Sequence, residues 1–366
     1  MRVGFVTTSY PRFAGDPAGN FVAAHAAAVR ALGHDVDVIA AGDGPDRVSD
    51  SQLFYRGGAP EALERGGVRT AFAAAAFTAR LTAAVATRAS HWDLIVAHWL
   101  APSAIAALPT RAPLLAIAHG GDVHALRRAK LLAPLLAELR LRKAKLAFVS
   151  AELRELARAA APSLAQWLDS AAIVQPMGVD VARFAAIGRA PETPPIVAVI
   201  GRLVAVKGVD VALAAMPAGA RLVIAGDGPA REQLQRGAGN RVQFVGELDP
   251  ARRDQLLRAA SVVAIPSRVL ANGRSEGTPL VALEALAAGV PVVASAVGGL
   301  RDLPVALVPP DDPAALAAAL VRSLADPPAA ATLRRAAAAF DWVSVTARLH
   351  GHAGFSCATA TPAHKP

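Results

Sequence analysis

Short apolar runs alternate along the chain with longer alanine- and leucine-rich segments. This rhythm predicts repeated βαβ units, and therefore parallel sheets covered by helices on both faces. In the first half it places strands at Arg2 to Thr8, Asp35 to Ala41, Asp93 to Ala97, Leu114 to Ala118, Lys145 to Val149 and Ala172 to Val174, with helices between them. The pattern then restarts, with strands at Ile196 to Ile200, Arg221 to Ala225, Val242 to Val245, Val262 to Ile265 and Pro291 to Ala294. Between the halves, Ile187 to Pro195 is proline-rich, polar and without helical periodicity, as a linker is.

The length of 366 residues supports the same division, because single hydrophobic cores stop growing near roughly 250 to 300 residues. The expected organisation is an N-terminal domain over residues 1–190 and a second over 191–328. A helical segment over 329–351, able to return to the first domain, and a tail over 352–366 complete the chain. Two doubly wound domains would turn the C-terminal edges of both sheets onto a central cleft, where open α/β sheets bind ligands.

Composition narrows the class. Hydrophobic residues make up 54% and charged ones 18%, which excludes a disordered chain; the mean hydropathy of +0.37 comes largely from alanine. The apolar stretch nearest to spanning length, Pro279 to Val297, is interrupted by Glu284, Gly289 and Pro291, so no transmembrane helix is expected. Met1 to Thr8 reads as a strand rather than a leader, and Cys357, the single cysteine, permits no disulfide framework or cysteine metal cluster; a cytoplasmic setting fits. The net charge of +9 (38 − 29) favours anionic partners, but the basic residues are not interleaved with aromatics, and nucleic acid is not expected.

The segment Asn272 to Pro291 carries the most chemistry. Thr278 suits a helix N-cap, Pro279 the first helical position and Gly289 the C-terminal stop, so a helix is predicted to start beside a glycine-bearing loop. The amides near Gly277, Thr278 and Leu280, with Pro279 opening the helix among them in the same donor-binding segment, then head a positive dipole end suited to a diphosphate. Glu276 precedes that end and Glu284 follows it, each able to accept hydrogen bonds from sugar hydroxyls flanking the phosphates.

The two acids, eight positions apart, resemble the E-x₇-E signature of retaining GT-B glycosyltransferases of family 4. The resemblance implies two Rossmann-like domains facing a cleft, with Glu276 on the transferred hexose and Glu284 on the nucleotide ribose. Gly201-Arg202-Leu203-Val204-Ala205-Val206-Lys207-Gly208 is similar to the family's G-R-L-x-x-x-K-G run, so Gly201, Arg202 and Lys207 would bind the donor diphosphate, the two cations offsetting its charge as it leaves. In His119-Gly120-Gly121-Asp122 the resemblance is to H-G-x-D, which puts His119 beside the reacting sugar and gives Asp122 a supporting donor-site role. Gly19, in the loop Tyr10 to Val22, matches the family's N-terminal glycine loop without its adjacent glycines, and Gly226 to Pro229 is similar to a turn near the nucleotide. Glu276 is followed by Gly-Thr-Pro where Gly-Phe-Gly is more frequent, a departure at the sugar contact.

The implied activity is transfer of a hexosyl group from a UDP-, GDP- or ADP-sugar to a hydroxyl acceptor, without a metal, in bacterial-type cell-envelope glycan or glycolipid synthesis. Arg127 to Lys145 gathers seven basic residues around leucines with Glu138 as the one acid, which suits either a solvated face or the anionic inner surface of a membrane, where a lipid-linked acceptor would lie.

Other readings compete. Gly273-Arg274-Ser275-Glu276-Gly277 fits the G-x-S-x-G elbow of a serine hydrolase, with Asp302 and His350 downstream, but needs a strand running into Ser275. Asp35-Val36-Asp37 fits the D-x-D of metal-dependent transferases, but alternation along a strand explains it. A nucleotide-sugar epimerase and a non-catalytic nucleotide-binding protein share the architecture.

Overall fold

The computed structural model describes residues 1–13, 16, 18–44, 46–49 and 67–355; Cys357 and most of the tail lie outside them. The chain forms two compact units, Met1–Pro176 with Trp342–Pro366, and Met177–Asp341.

In the first unit the strands β1 (Arg2–Thr7), β2 (Asp35–Ala41), β3 (Arg47–Val48), β4 (Leu94–His98), β5 (Leu114–Ala118), β6 (Lys145–Phe148) and β7 (Ala172–Val174) form one parallel sheet in the order β3-β2-β1-β4-β5-β6-β7. Both faces are covered, so Phe5, Leu94, Ile95, Leu115, Ile117 and Phe148 are fully buried whichever way they point. Each such side chain contributes roughly 1.5–3 kcal/mol by leaving water.

The second unit repeats the plan with β8 (Ile196–Ile200), β9 (Arg221–Ala225), β10 (Val242–Gly246), β11 (Val262–Ile265), β12 (Val292–Ser295) and β13 (Ala306–Val308), ordered β10-β9-β8-β11-β12-β13 and parallel throughout. Alternate residues feed two cores. Ala198, Val223 and Val263 pack with Leu283 and Leu286 of the Leu280–Ala288 helix, while Val197, Leu222 and Val262 pack with Leu316 and Leu320 of the Pro313–Ala325 helix.

The division falls at Pro176/Met177 rather than at 190/191. The proline-rich segment expected as a linker is bonded into the second unit: Ala190 and Glu192 donate their N–H groups to Arg258 O and Ala259 O, and Arg189 reaches Ala260 O. Those bonds satisfy carbonyls at the end of the Pro250–Ala259 helix, a use of the backbone that composition does not register. The expected 329–351 segment is also two things. Ala330–Ala338 stays with the second unit, and Trp342–His352 belongs to the first, where Trp342 stacks on His25 at 5.5 Å.

Edge strands β3 and β13 escape the sequence pattern because two or three residues carry no periodicity. The expectation about spanning segments also changes. Arg69–His91, not Pro279 to Val297, is the one stretch among the described residues long and apolar enough to cross a membrane. Phe77, Leu81 and Val85, spaced one turn apart on its Val68–Arg88 helix, are fully buried, and the helix packs beside β2 and β3.

Candidate active site

Strand order in the second sheet reverses between β8 and β11, so the loops leaving these strands part and open a crevice at their C-terminal ends. Gly201, Arg202 and Lys207 line it from the loop after β8, Pro266 and Ser267 from the loop after β11, and Val281 from the Leu280–Ala288 helix. Lys207 Nζ donates to Glu276 Oε2 at 2.7 Å, and the buried Ser267 Oγ donates to the same oxygen at 3.1 Å. The pair is only 23% and 13% exposed at Lys207 and Glu276, so solvent screens its charges weakly. A cation and an acid predicted from separate motifs thus meet at one point.

Backbone packing fixes the Glu276 loop. Gly299 donates its N–H to Gly277 O at 2.9 Å, and a Cβ on Gly298 would stand 1.8 Å from Glu276 O. Gly298 also has φ +51, so both close approach and a left-handed backbone demand glycine there. Across the crevice, a side chain on Gly226 would meet Gly201 O at 2.0 Å, which explains the Gly226 to Pro229 turn as the support under the Arg202 loop. Arg202 itself is exposed.

The helix begins at Leu280, one residue later than expected. Pro279, with φ −72 and ψ 111, is the capping residue, and Thr278 immediately precedes it. Proline suits this place because its φ fits both extended and helical neighbours and it lacks the N–H that would go unused. Gly289 closes the helix with φ +79 as predicted.

Glu284 sits in the second turn. Its Oε1 lies 2.6 Å from the Arg253 guanidinium, and the carboxylate is 13% exposed; Glu284 thus pairs with Arg253, while Lys207 pairs with Glu276. Burial raises the Glu284 pKa above its ordinary value, and Arg253 pulls against that. Arg253 in turn stands 5.6 Å over the Phe184 ring, which Arg183 covers from 4.4 Å while pairing with Asp254.

In the first unit the sheet reverses between β1 and β4. His119, just after β5, is half-buried, and its Nε2 lies 3.0 Å from His98 Nδ1 at the end of β4. Trp99, held at φ +73, sets its ring 4.9 Å from that of His119. Burial lowers the His119 pKa to about 3, so the ring is neutral in ordinary conditions. Asp122 accepts from the N–H groups of Leu100 (2.6 Å), His119 (3.1 Å), Gly120 (2.9 Å) and Val123 (3.0 Å). Both oxygens are occupied, so Asp122 ties the loops after β4 and β5 together rather than reaching for a ligand. Gly19 precedes the Asn20–Ala31 helix at φ +70, and a Cβ there would meet Ser9 O at 2.3 Å; loop residues 14, 15 and 17 lie outside the described set.

Comparison with known proteins decides what this assembly of motifs is. Residues 18–183 match the family described as Glycosyltransferase Family 4, and residues 194–326 match Glycosyl transferases group 1. This chain belongs to the family 4 glycosyltransferases. It is similar to the glycogen synthase of Mycobacterium tuberculosis, 39% identical over 191 residues that cover 46% of this chain and 44% of that protein. It is also similar to the GDP-mannose-dependent monoacylated alpha-(1-6)-phosphatidylinositol monomannoside mannosyltransferase of Corynebacterium glutamicum, 36% identical over 150 residues covering 34% and 38%. The matched stretches thus span less than half of these relatives. Among solved structures, sucrose-phosphate synthase from Thermosynechococcus elongatus superposes with a TM-score of 0.68 at 25% identity, covering 96% of this chain and 97% of that one, which fits the GT-B class.

Within this family 4 chain the competing sequence signals lose their footing. Ser275 lies in the long loop that follows β11 at Ile265, with no strand running into it, so the hydrolase elbow is not built. His350 is buried on the Trp342–His352 helix of the first unit, whereas Ser275 and Asp302 belong to the second. Asp37 is engaged by Trp92 Nε1 at 3.1 Å and by Arg88 at 3.5 Å. The basic stretch 127–145 splits: Arg142 turns its guanidinium onto Ala112 O, whereas Arg128, Lys130, Arg140 and Lys143 are exposed, with Leu131 at 54% and Leu141 at 77%. Ser267, Arg253, Gly298, Gly299, His98 and Trp99 are the site residues that sequence reading missed. A histidine and tryptophan directly after an apolar strand were the one available signal among them.

Proposed function

We propose that the chain is a retaining glycosyltransferase that moves a hexosyl group from a UDP-, GDP- or ADP-sugar to a hydroxyl acceptor in cell-envelope glycan or glycolipid synthesis. The observation that carries this reading is the meeting of Lys207, Glu276 and Ser267 in the switch-point crevice beside the start of the Leu280–Ala288 helix. The diphosphate would be held by Arg202, Lys207 and the helix amides, whose fixed positive ends offset the charge that grows as the sugar–oxygen bond breaks. The Glu276 carboxylate, oriented by Lys207 and Ser267, would accept hydrogen bonds from the transferred hexose and favour its oxocarbenium-like state. Glu284, steadied by Arg253, would take the ribose hydroxyls, and His119 would contact the sugar. This assigns the neutralising work to side chains and amides rather than to a metal ion.

The acceptor is proposed to be lipid-linked and the protein peripheral at the cytoplasmic face of the membrane. Leu131 and Leu141, exposed among Arg128, Lys130, Arg140 and Lys143, offer the apolar and cationic groups that anionic headgroups attract. The Corynebacterium relative's phosphatidylinositol acceptor supports the same direction.

The test is a thermal-shift screen against UDP-, GDP- and ADP-sugars, followed by turnover with the stabilising donor and analysis of the anomeric configuration of the product. Transfer with retention is expected. An isomerised sugar formed without acceptor would select the epimerase, and nucleotide binding without release of diphosphate from any donor would select the non-catalytic protein.

A further inference from the structure

Behind His119 the first unit carries a buried chain of imidazoles. His119 Nε2 lies 3.0 Å from His98 Nδ1, and His98 Nε2 lies 3.1 Å from His25 Nδ1 on the Asn20–Ala31 helix. His25 and His98 are 0% exposed. The helix after β1, the end of β4 and the loop after β5 thus deliver one continuous line of ring nitrogens, open to solvent only at its His119 end.

Such a chain of neutral rings has two hydrogen-bonding directions, with every donor pointing towards His119 or every donor pointing away from it. The inner end decides between them. His25 Nε2 has no hydrogen-bond partner among the described residues. Trp342 lies flat against the His25 ring at 12°, and His350, its centroid 5.9 Å away, has no partner for either ring nitrogen among the described residues and does not receive His25. Donors pointing away from His119 would bury an N–H at His25 Nε2 with nothing to accept it; donors pointing towards His119 leave only a bare lone pair there, which buried groups tolerate better.

The charged form is disfavoured throughout. The adjacent acid, Asp122, is occupied by four backbone amides. The groups facing the line are otherwise the His350 ring, which lies beside His25, and Phe5, Phe21, Trp99 and Trp342.

We propose that His98 and His25 are positioning residues that hold His119 as a neutral ring protonated on Nδ1, so that His119 serves as a fixed hydrogen-bond donor and not as a base. In that arrangement His25 Nδ1–H donates to His98 Nε2, His98 Nδ1–H donates to His119 Nε2, and the His119 Nδ1–H faces outward. Its use in catalysis rests on the proposed contact between His119 and the transferred sugar; the tautomer does not.

The tautomer is read directly by NMR of the intact protein labelled with ¹⁵N-histidine, between about pH 6 and pH 8 where an ordinary histidine changes charge. Protons on Nδ1 of all three rings are expected, with no titration in that range; a proton on His119 Nε2, or a cationic ring, overturns the proposal. A second arm uses His25→Phe, which keeps a ring against Trp342 but removes the donor, and His25→Asn, whose amide N–H restores it. His25→Phe is expected to shift the His119 tautomer and lower kcat/KM for the donor sugar about fivefold, the scale of one neutral hydrogen bond, while His25→Asn stays close to the wild type. Equal loss in both variants would reduce His25 to packing and overturn the proposal. Failure of every nucleotide sugar to bind would sink the proposed activity and leave the tautomer reading standing on its spectra.

Discussion

Lys207 and Glu276 stand 69 residues apart in sequence and 2.7 Å apart in space, joined where the sheet of the second unit reverses its strand order. Neither charge is fully solvated, so removing one strands the other and also removes a group that would act on the donor. Lys207→Ala and Glu276→Ala are each expected to lower turnover roughly a hundredfold, by analogy with lost charge-stabilising donors, with circular dichroism unchanged. Near-normal rates in either variant would remove the pair from the mechanism.

The Arg253–Glu284 pair makes a different prediction, about binding. Arg253 opposes the upward push of burial on the Glu284 pKa, so Arg253→Ala lets Glu284 protonate at higher pH than in the wild type. Donor KM in this variant is expected to rise as pH falls, earlier than in the wild type, with kcat less affected. Glu284→Gln should raise KM roughly tenfold at every pH and abolish the difference, the scale of one lost hydrogen bond to a charged group. Steady-state kinetics across pH measures both.

At Gly298 a methyl group would collide with Glu276 O at 1.8 Å in a left-handed backbone. Gly298→Ala is expected to destabilise the protein by about 1–3 kcal/mol and to displace the Glu276 loop, lowering activity at least tenfold. Gly33→Ala is the control: the position is left-handed, but nothing stands within 4 Å of its Cβ, so strain appears without loss of turnover. Denaturant melts and rates together separate the two effects.

Acid sensitivity follows from the buried histidines. Burial lowers the His350 pKa to about 4 from an ordinary 6.5, with His34 adding to the effect. A group with a depressed folded pKa binds fewer protons in the native state, so its stabilising contribution is complete above pH 6.5 and is lost as pH falls from there to about 4. That single shift corresponds to about 3 kcal/mol at the low end. Chemical denaturation midpoints should therefore drop between pH 7 and pH 5, and His350→Phe should flatten the decline.

On the surface, Leu131→Asp combined with Leu141→Asp is expected to abolish sedimentation with vesicles containing anionic phospholipid while leaving thermal stability unchanged, because both side chains are more than half exposed. Wild-type binding should weaken as salt rises. Equal binding of wild type and variant would leave the basic stretch as a solvated face.

Much of this protein was legible before any coordinates. The alternation of apolar runs gave the two parallel sheets and, within a residue or two, most of their strands, because a strand buried on both faces must be apolar along its length. Glu276 was nameable from its place before a helix start, and Lys207 and His119 from strand-end motifs that resemble those of family 4, since a helix start, a strand end and a glycine turn each impose composition on a few consecutive residues.

Partners distant in sequence were decided by tertiary structure alone. Nothing near Glu276 announces Ser267 as its second donor, nothing near Glu284 announces Arg253, and His25, 73 residues before His98, reads in sequence as one more helix position. The passage between units was misplaced for the same reason: Ile187 to Pro195 has the composition of a linker, yet the N–H groups of Ala190 and Glu192 and the Arg189 guanidinium are spent on the end of a distant helix, at Arg258 to Ala260. Local sequence sets which conformations a segment prefers, whereas hydrogen bonds and ion pairs between distant segments form only once burial has brought them together.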